Sequence, residues 1–313
     1  MPPLEPSLAA LPNPVLRYFA ATRPAFLSVT FVGVLVGLAS AAGAGIAIDP
    51  AAATVTMFFA LVAHAGANVI NDYYDGKSGC DAANNERVFP FTGGSRFIQN
   101  GVLTLRATGS FGYALLAAVV PAGLWLTAHS AGGLILVGLA GLAVGWAYSA
   151  PPLRLQSRGL GELGITAGWL LVVIGTDFVQ RRHFDFAPVA AGVGFALLVA
   201  NVLYINQFPD VKADDLAGKR TLVVRFGVVT ARWGYALIAT LCYGWVATMI
   251  ALGLLPWLAS VSLFAAPASL AAMTILNRHA ANPPQLAAAI KATILAAVSH
   301  GLLLAGALAM STT

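Results

Sequence analysis

From Phe26 onward, long apolar runs alternate with short polar joints, and nine runs are close to the roughly 20 residues that a helix needs to cross a bilayer. They cover Phe26–Ile48, Ala51–Asp72, Leu105–Thr127, Ala131–Ala150, Glu162–Gln180, Ala187–Asn206, Ala231–Gly253, Leu255–Leu276 and Leu286–Met310. The predicted fold class is all-α, a multi-span membrane helical bundle of nine transmembrane helices. The two longest polar joints, residues 73–104 and 207–230, keep aromatic and aliphatic positions and are predicted to be ordered loops capping a central cavity. Residues 1–313 are read as a single domain, with the bundle spanning 17–310.

Composition agrees with this pattern. Hydrophobic residues make up 58% of the 313 and charged residues 9%, too little polar surface for a water-soluble globule of this size. With the N-terminus inside, fifteen of the 17 basic residues fall on the cytoplasmic side, and only Arg181 and Arg182 lie opposite. Lys and Arg resist translocation, so the N-terminus is expected in the cytoplasm and the C-terminus outside. The net charge of +5 then reflects topology; no nucleic-acid motif is present. Cys80 and Cys242 lie in separate segments and do not suggest a disulfide framework. The Pro-rich lead before Arg17 contains no apolar run of the kind a cleavable signal peptide needs.

Two acid-bearing segments close the second and sixth spans, Asn68-Val-Ile-Asn71-Asp72-Tyr-Tyr-Asp75 followed by Asp81, and Asn206-Gln-Phe-Pro-Asp210-Val-Lys-Ala-Asp214-Asp215. Each places an Asn four residues before an Asp, on one helix face. The predicted topology puts both at the cytoplasmic face. Carboxylates at a bilayer edge are costly unless they bind something, and several in a small volume need cations or protons. Oxygen ligands suit Mg²⁺, which completes its shell with water and phosphate oxygens. Lys77, Arg96, Lys212, Lys219 and Arg220 share these loops and are candidates for the remaining phosphate charge. Acids for metal and bases for phosphate, below an apolar bundle, point to a polyprenyl diphosphate. The bland alternative for any one acid, Asp215 or Glu86 above all, is a solvated loop charge.

Asn71-Asp72-x-x-Asp75, Asp210-x-x-x-Asp214 and Gly218-Lys-Arg-Thr-Leu-Val-Val-Arg-Phe-Gly227 resemble the UbiA-type intramembrane prenyltransferase superfamily. Lys77-Ser-Gly-x-Asp81 with Thr92-Gly-Gly-Ser95, and Tyr148-Ser-Ala-Pro-Pro-Leu-Arg154 with Arg158-Gly-Leu-Gly-Glu162, look like the 1,4-dihydroxy-2-naphthoate prenyltransferase branch of menaquinone synthesis. The usual third Asp, four residues after the second, is replaced by Gly79, and the next acid is Asp81. The resemblance implies Mg²⁺-dependent transfer of a polyprenyl chain to an aromatic acceptor in a bacterial inner membrane. It assigns Asp72, Asp75, Asp210 and Asp214 to catalysis and, with Asp81, to the metal. It assigns Asn68, Asn71, Asn206, Lys77, Arg96, Lys212, Lys219, Tyr148 and Arg154 to substrate, and makes Asp72 the candidate to deprotonate an acceptor hydroxyl.

Several positions have a second reading. Tyr148 equally suits an interfacial anchor, and Arg154 a positive-inside residue. His64, on the face leading to Asn68 and Asp72, fits an interhelical hydrogen bond better than an acceptor contact. Asp177 is placed to pair with Arg181 four residues on, Glu162 lies near the cytoplasmic mouth, and the Gly93-Gly94 pair reads first as a turn. Gly33, Gly37, Ala41 and Gly45 form a small-residue packing face. Homogentisate, 4-hydroxybenzoate or a non-quinone acceptor fit the same motifs. A CDP-alcohol phosphotransferase shares only Asp72-x-x-Asp75-Gly76, and a cation carrier would need polar positions crossing the membrane.

Overall fold

The computed structural model describes residues 4–311, and among them every regular element is helical. The chain enters through α1 (Pro14–Ala21), whose N-cap Asn13 accepts a hydrogen bond from the Val15 N–H. α2 (Leu27–Gly43) and α3 (Pro50–Ser78) form the first pair, with Asp49 accepting from the Ala51 and Ala52 amides to start α3. Gly79, at φ +78°, ends α3 and turns the chain into the single turn α4 (Cys80–Ala83). After a loop come α5 (Leu105–His129), capped by Thr104, then α6 (Leu134–Ala147), α7 (Gly161–Arg181) and α8 (Ala187–Leu216). Last are α9 (Leu222–Ala251), α10 (Ala266–His279) and α11 (Ala287–Met310).

Eight helical segments are long and apolar enough to cross a membrane; α6, with 14 residues, is the ninth expected span and falls short. At about 1.5 Å per residue it covers about 21 Å, against a hydrocarbon core of about 30 Å. The other differences are at helix ends. Helix α3 runs past Asp72 to Ser78 and α8 past Asn206 to Leu216, so much of the expected polar loops is helix. Helix α9 begins at Leu222 rather than Ala231, with Gly227 (φ +70°, ψ 152°) separating a leading turn from the spanning part. A hydropathy boundary stops where charge begins, whereas the i to i−4 backbone ladder continues until a residue breaks it.

Helix α8 is the hub. It packs between α7 and α9, with α2 and α11 also against it, while α3 lies on α5. One apolar core joins Phe195 and Leu198 of α8 to Val36, Val246 and Leu304; a second joins Tyr204 and Phe208 to Tyr235, Leu276 and Ile290. A helix apolar on every side belongs inside a bundle, as α8 does. The small-residue face of α2 is real at Gly37, where a Cβ would sit 2.6 Å from the Val173 carbonyl oxygen of α7. At the end of the bundle remote from the acids, buried Asp177 and Arg181 form the expected ion pair at 2.7 Å, and Arg181 also donates to the Ser40 carbonyl. Cys80 and Cys242 are both free thiols.

Candidate active site

At the C-terminal ends of α3 and α8 the two acid segments are joined through α4, which packs on both helices, and through Lys219. Lys219, in the short link from α8 to α9, lies between them. Its Nζ is 2.8 Å from Asp75 Oδ1 and 3.6 Å from Asp214 Oδ1, and the residue is 8% exposed. Burial alone would lower the Lys219 pKa, but the Asp75 and Asp214 carboxylates outweigh it and hold the ammonium charged well above the ordinary range. A protein cation already occupies the space between the motifs.

Amides orient these acids. The two N–H groups of Asn71 Nδ2 are shared among Asp75 Oδ2, Ser149 Oγ and Gln156 Oε1, each at 3.1 Å, and Gln156 Nε2 donates to Asp75 Oδ1 at 3.1 Å. Asn84 donates to Asp210 Oδ1, and the Ser95 amide to Asp72 Oδ1 at 3.2 Å. The Asn68 amide donates to the Thr22 carbonyl. Asn84 and Gln156 were not evident in the sequence because each reaches its acid from a distant element, while Gln207, inside the second acid segment, donates to Glu162 and lines the same cavity.

Asp81 joins the cluster despite its irregular spacing. The turn at Gly79 carries it back over the end of α3, where it is 5% exposed and its Oδ2 has no hydrogen-bond partner. Burial first, then the charges of Asp75 and Asp72, raise its pKa well above the carboxylate range. The Thr92–Ser95 turn closes over it: a Cβ on Gly94 would lie 2.2 Å from Asp81 Oδ2, so only glycine fits at this φ of +71°. The sequence had offered a bare turn here, and the missing information was the long-range approach of a carboxylate.

These groups form the head of a cavity of about 1120 Å³. Asn68, Asn71, Asp75, Asp81, Tyr148, Asn206, Asp210, Asp214 and Lys219 line it, with Arg23, Asn84 and Gln156. Its body is apolar, walled by Leu116, Leu142, Val172 and Trp169 and by open glycines of α6 such as Gly141 and Gly145. His64 makes the expected interhelical hydrogen bond, Nδ1 to Thr30 Oγ1 at 2.8 Å, and also faces the cavity against Trp169.

The remaining expected ligands stand elsewhere. Lys77 and Arg154 are exposed and outside the cavity wall. Lys212 is exposed and pairs with Glu86. Arg96 is buried but turned away, donating to the Asp81 carbonyl and facing Glu5 at 3.8 Å. Asp72 is 3% exposed and lies behind Ser95 rather than on the wall, a poor position from which to take a proton from an acceptor. Arg23, a topology marker in the sequence, lines the cavity and donates to the Phe91 carbonyl at 3.2 Å. Lys77 and Lys212 follow Asp75 and Asp210 by two residues, about 200° around a helix, so once α3 and α8 continue they must face away.

Among the described residues no three Asp, Glu, His or Cys groups form a preassembled metal cage. Carboxylates on two helices with one buried oxygen unpartnered instead fit an ion such as Mg²⁺, which keeps water and shares phosphate oxygens with its substrate.

The UbiA prenyltransferase family model matches residues 28–307. The chain belongs to the UbiA prenyltransferase family. Proteins named 1,4-dihydroxy-2-naphthoate octaprenyltransferase from Mycobacterium leprae and Bacillus subtilis are 32% identical over 251 residues and 29% over 244. The matches cover 79% and 76% of this chain, and 80% and 75% of those proteins. A 2-carboxy-1,4-naphthoquinone phytyltransferase from Synechocystis is 29% identical over 271 residues, 82% of this chain and 83% of that one. A solved UbiA homolog from Archaeoglobus fulgidus, bound to DMAPP and Mg²⁺, superimposes with a TM-score of 0.66 at 19% identity, over 93% of this chain and 99% of that one. This chain therefore has the UbiA fold: it is an integral, multi-pass membrane enzyme that transfers prenyl groups.

Proposed function

We propose that this UbiA enzyme transfers a polyprenyl group from its allylic diphosphate to 1,4-dihydroxy-2-naphthoate in a Mg²⁺-dependent reaction. The observation that carries this is Lys219 held between Asp75 and Asp214 at the head of the large apolar cavity. A cation site bridging two acid motifs suits a diphosphate, and the apolar body suits its chain. The names of the naphthoate-prenylating relatives support the acceptor.

Bound Mg²⁺, held by Asp75, Asp81, Asp210 and Asp214, would supply Lewis-acid stabilisation of the diphosphate. The chain's own groups prepare the rest. Asn71 and Gln156 fix the Asp75 carboxylate, Asn84 fixes Asp210, and the Ser95 amide holds Asp72 as a support. Lys219 donates to the departing diphosphate, stabilising charge that grows as the bond breaks. That bond is the allylic C–O bond, and its electron pair leaves on oxygen. The ring carbon bearing the acceptor carboxylate attacks the allylic cation. The carboxylate then leaves as CO₂ and returns its bonding pair to the ring. The apolar wall keeps water from the cation.

The N-terminus and the acidic end are assigned to the cytoplasmic side of the cell membrane, on the basic-residue asymmetry. Residues 1–313 are assigned to one domain. The test is purified protein with Mg²⁺, one polyprenyl diphosphate and a panel of naphthoate, homogentisate and 4-hydroxybenzoate, read by product mass. The naphthoate adduct minus CO₂ is expected, with Asp75→Asn and Asp214→Asn inactive and the exposed Asp215→Asn active. Product from another acceptor alone overturns the acceptor assignment, and full turnover by Asp75→Asn overturns the site.

A further inference from the structure

The lead before α1 supplies part of the cavity wall. Leu4, Glu5, Pro6, Ala10 and Leu11 line the same cavity as Asp75, Asp81 and Asp214. The two ends of this lead are held differently. Leu11 packs against Phe97, Val102 and Leu103, and Arg17 donates to the Leu11 carbonyl at 2.6 Å and the Pro12 carbonyl at 3.0 Å. The other end has a polar latch. Glu5 pairs with Arg87 at 2.6 Å and Arg96 at 3.8 Å, while Asn100 donates to Glu5 Oε2 at 3.2 Å and to the Pro6 carbonyl at 3.0 Å. Between these fastenings residues 7–10 are exposed.

We propose that residues 4–10 form a lid over the acid cluster, hinged at Leu11 and latched by Glu5, that keeps water from the allylic cation. A segment with few buried apolar contacts and one group of polar fastenings opens locally without unfolding the bundle, as a lid must. The reaction, as assigned above, needs both states. Diphosphate is strongly hydrated and leaves to water, so the cavity head must open once per turnover. The cation is captured by water, so the head must be closed when the C–O bond breaks. If it is open then, a water oxygen bonds to the cationic carbon and loses a proton, giving prenyl alcohol and diphosphate in place of the ring adduct.

The latch also reaches the acids. Arg87 Nη1 donates to the Asn84 carbonyl at 2.7 Å, Asn84 holds Asp210, and Arg96 donates to the Asp81 carbonyl. Gly93, at φ +76°, makes room for this arrangement, since a Cβ there would lie 2.6 Å from Arg87 Cβ. Closing the lid therefore brings the Glu5 carboxylate to the two arginines that brace Asn84 and Asp81. Glu5 is a positioning residue, acting through Arg87 and Arg96.

The test uses the full chain in phosphatidylcholine nanodiscs, with Glu5→Gln and Asn100→Ala as variants; neither position is buried. Products from Mg²⁺, one polyprenyl diphosphate and naphthoate are counted in water enriched in the heavy oxygen isotope. Label in the alcohol marks capture of the cation, whereas cleavage at phosphorus would leave it in the phosphate. Glu5→Gln is expected to raise the ratio of labelled alcohol to adduct about fivefold, the factor an ion pair at the upper end of the exposed range supplies. Asn100→Ala should move it in the same direction. A general loss of structure lowers both products and leaves the ratio unchanged. A second measurement needs no turnover. Cys80 lines the cavity head and is 4% exposed, so its modification by a cationic, membrane-impermeant thiol reagent, mapped by mass, reads the open state. It should be about fivefold faster in Glu5→Gln, with Cys242, 0% exposed and outside the cavity, unmodified. Equal Cys80 modification in wild type and Glu5→Gln, or an unchanged ratio of alcohol to adduct, overturns the lid. Faster modification with neither alcohol nor adduct from any of the proteins overturns the reaction assigned above and leaves the lid standing.

Discussion

Lys219→Met separates two consequences of a cation placed between the acid motifs. In the metal-free protein, Nζ balances Asp75 at 2.8 Å and Asp214 at 3.6 Å in a setting only 8% exposed. Removing one partner from a buried charge pair typically costs about 3–5 kcal/mol, because the remaining charge has lost its compensation. Protonation or cation uptake by the two acids offsets part of this, so the expected loss is about 2–3 kcal/mol. A ligand that binds only the folded protein returns about 2.7 kcal/mol at 100-fold over its dissociation constant. Mg²⁺ with diphosphate should therefore raise the unfolding midpoint of Lys219→Met more than that of the wild type, since the wild type already has its ammonium there. Turnover falls independently, by about 10²–10³-fold, the effect of removing one donor to developing charge. Thermal unfolding of the purified protein with and without Mg²⁺-diphosphate, alongside diphosphate release, reads both. Equal midpoints and undiminished turnover in Lys219→Met would refute the bridging role.

Gly94→Ala places a methyl against the Asp81 carboxylate at a left-handed backbone position; it should abolish prenyl transfer while the helical content by circular dichroism stays at wild-type level, and an active variant would show that the Thr92–Ser95 turn is not fixed over Asp81. Glu5, in the lead before α1, pairs with Arg87 at 2.6 Å and accepts from Asn100. Burial raises its pKa, but Arg87 and Asn100 together outweigh this and set it below the usual 4.5. A depressed carboxylate stabilises above its ordinary pKa and loses that contribution as pH falls through the folded value. Faster amide exchange across residues 84–100 is therefore expected in wild type only below about pH 4.5, and in Glu5→Gln already at neutral pH. Gly141 faces open space on the cavity wall, so Gly141→Leu should favour shorter prenyl donors in a competition read by product mass; an unchanged product distribution would place the chain elsewhere.

Much of the bundle was legible because its signals are local. Apolar runs locate the spans, and the Asn-to-Asp spacing of four puts Asn68 with Asp72 and Asn206 with Asp210 on common helix faces. Helix ends were less legible, since Asp72 to Ser78 and Gln207 to Leu216 are too polar for a hydropathy boundary yet stay on the ladder. The basic residues divide by geometry. Lys219 lies beyond the end of α8, where the link returns it to the cluster, whereas Lys77 and Lys212 sit on the helices and are carried to the far side. Periodicity contains that distinction once the helices are extended. It does not contain Asn84 or Gln156, which reach Asp210 and Asp75 from positions 126 and 81 residues away in sequence.

The support around each acid also shows how the first motif brings in a further carboxylate without the regular spacing. Gly79 occupies the position four after Asp75, and its left-handed conformation ends α3 there. An Asp at that position would continue the face of Asp75 along a longer helix, one turn above it. Ending the helix instead lets α4 fold back and deliver Asp81 from another direction, with Cys80 beside it. This geometry needs a cover, because a returning turn leaves backbone and carboxylate exposed at its rim. Residues 92–95 provide it: Gly94 makes room for Asp81, Ser95 holds Asp72, and Arg96 donates back to the Asp81 carbonyl. Gly79, Gly94 and Asp81 thus act as one unit. Restoring the regular spacing with Gly79→Asp should therefore fail to replace Asp81, and a double variant Gly79→Asp, Asp81→Asn with wild-type turnover would show that the two arrangements are interchangeable.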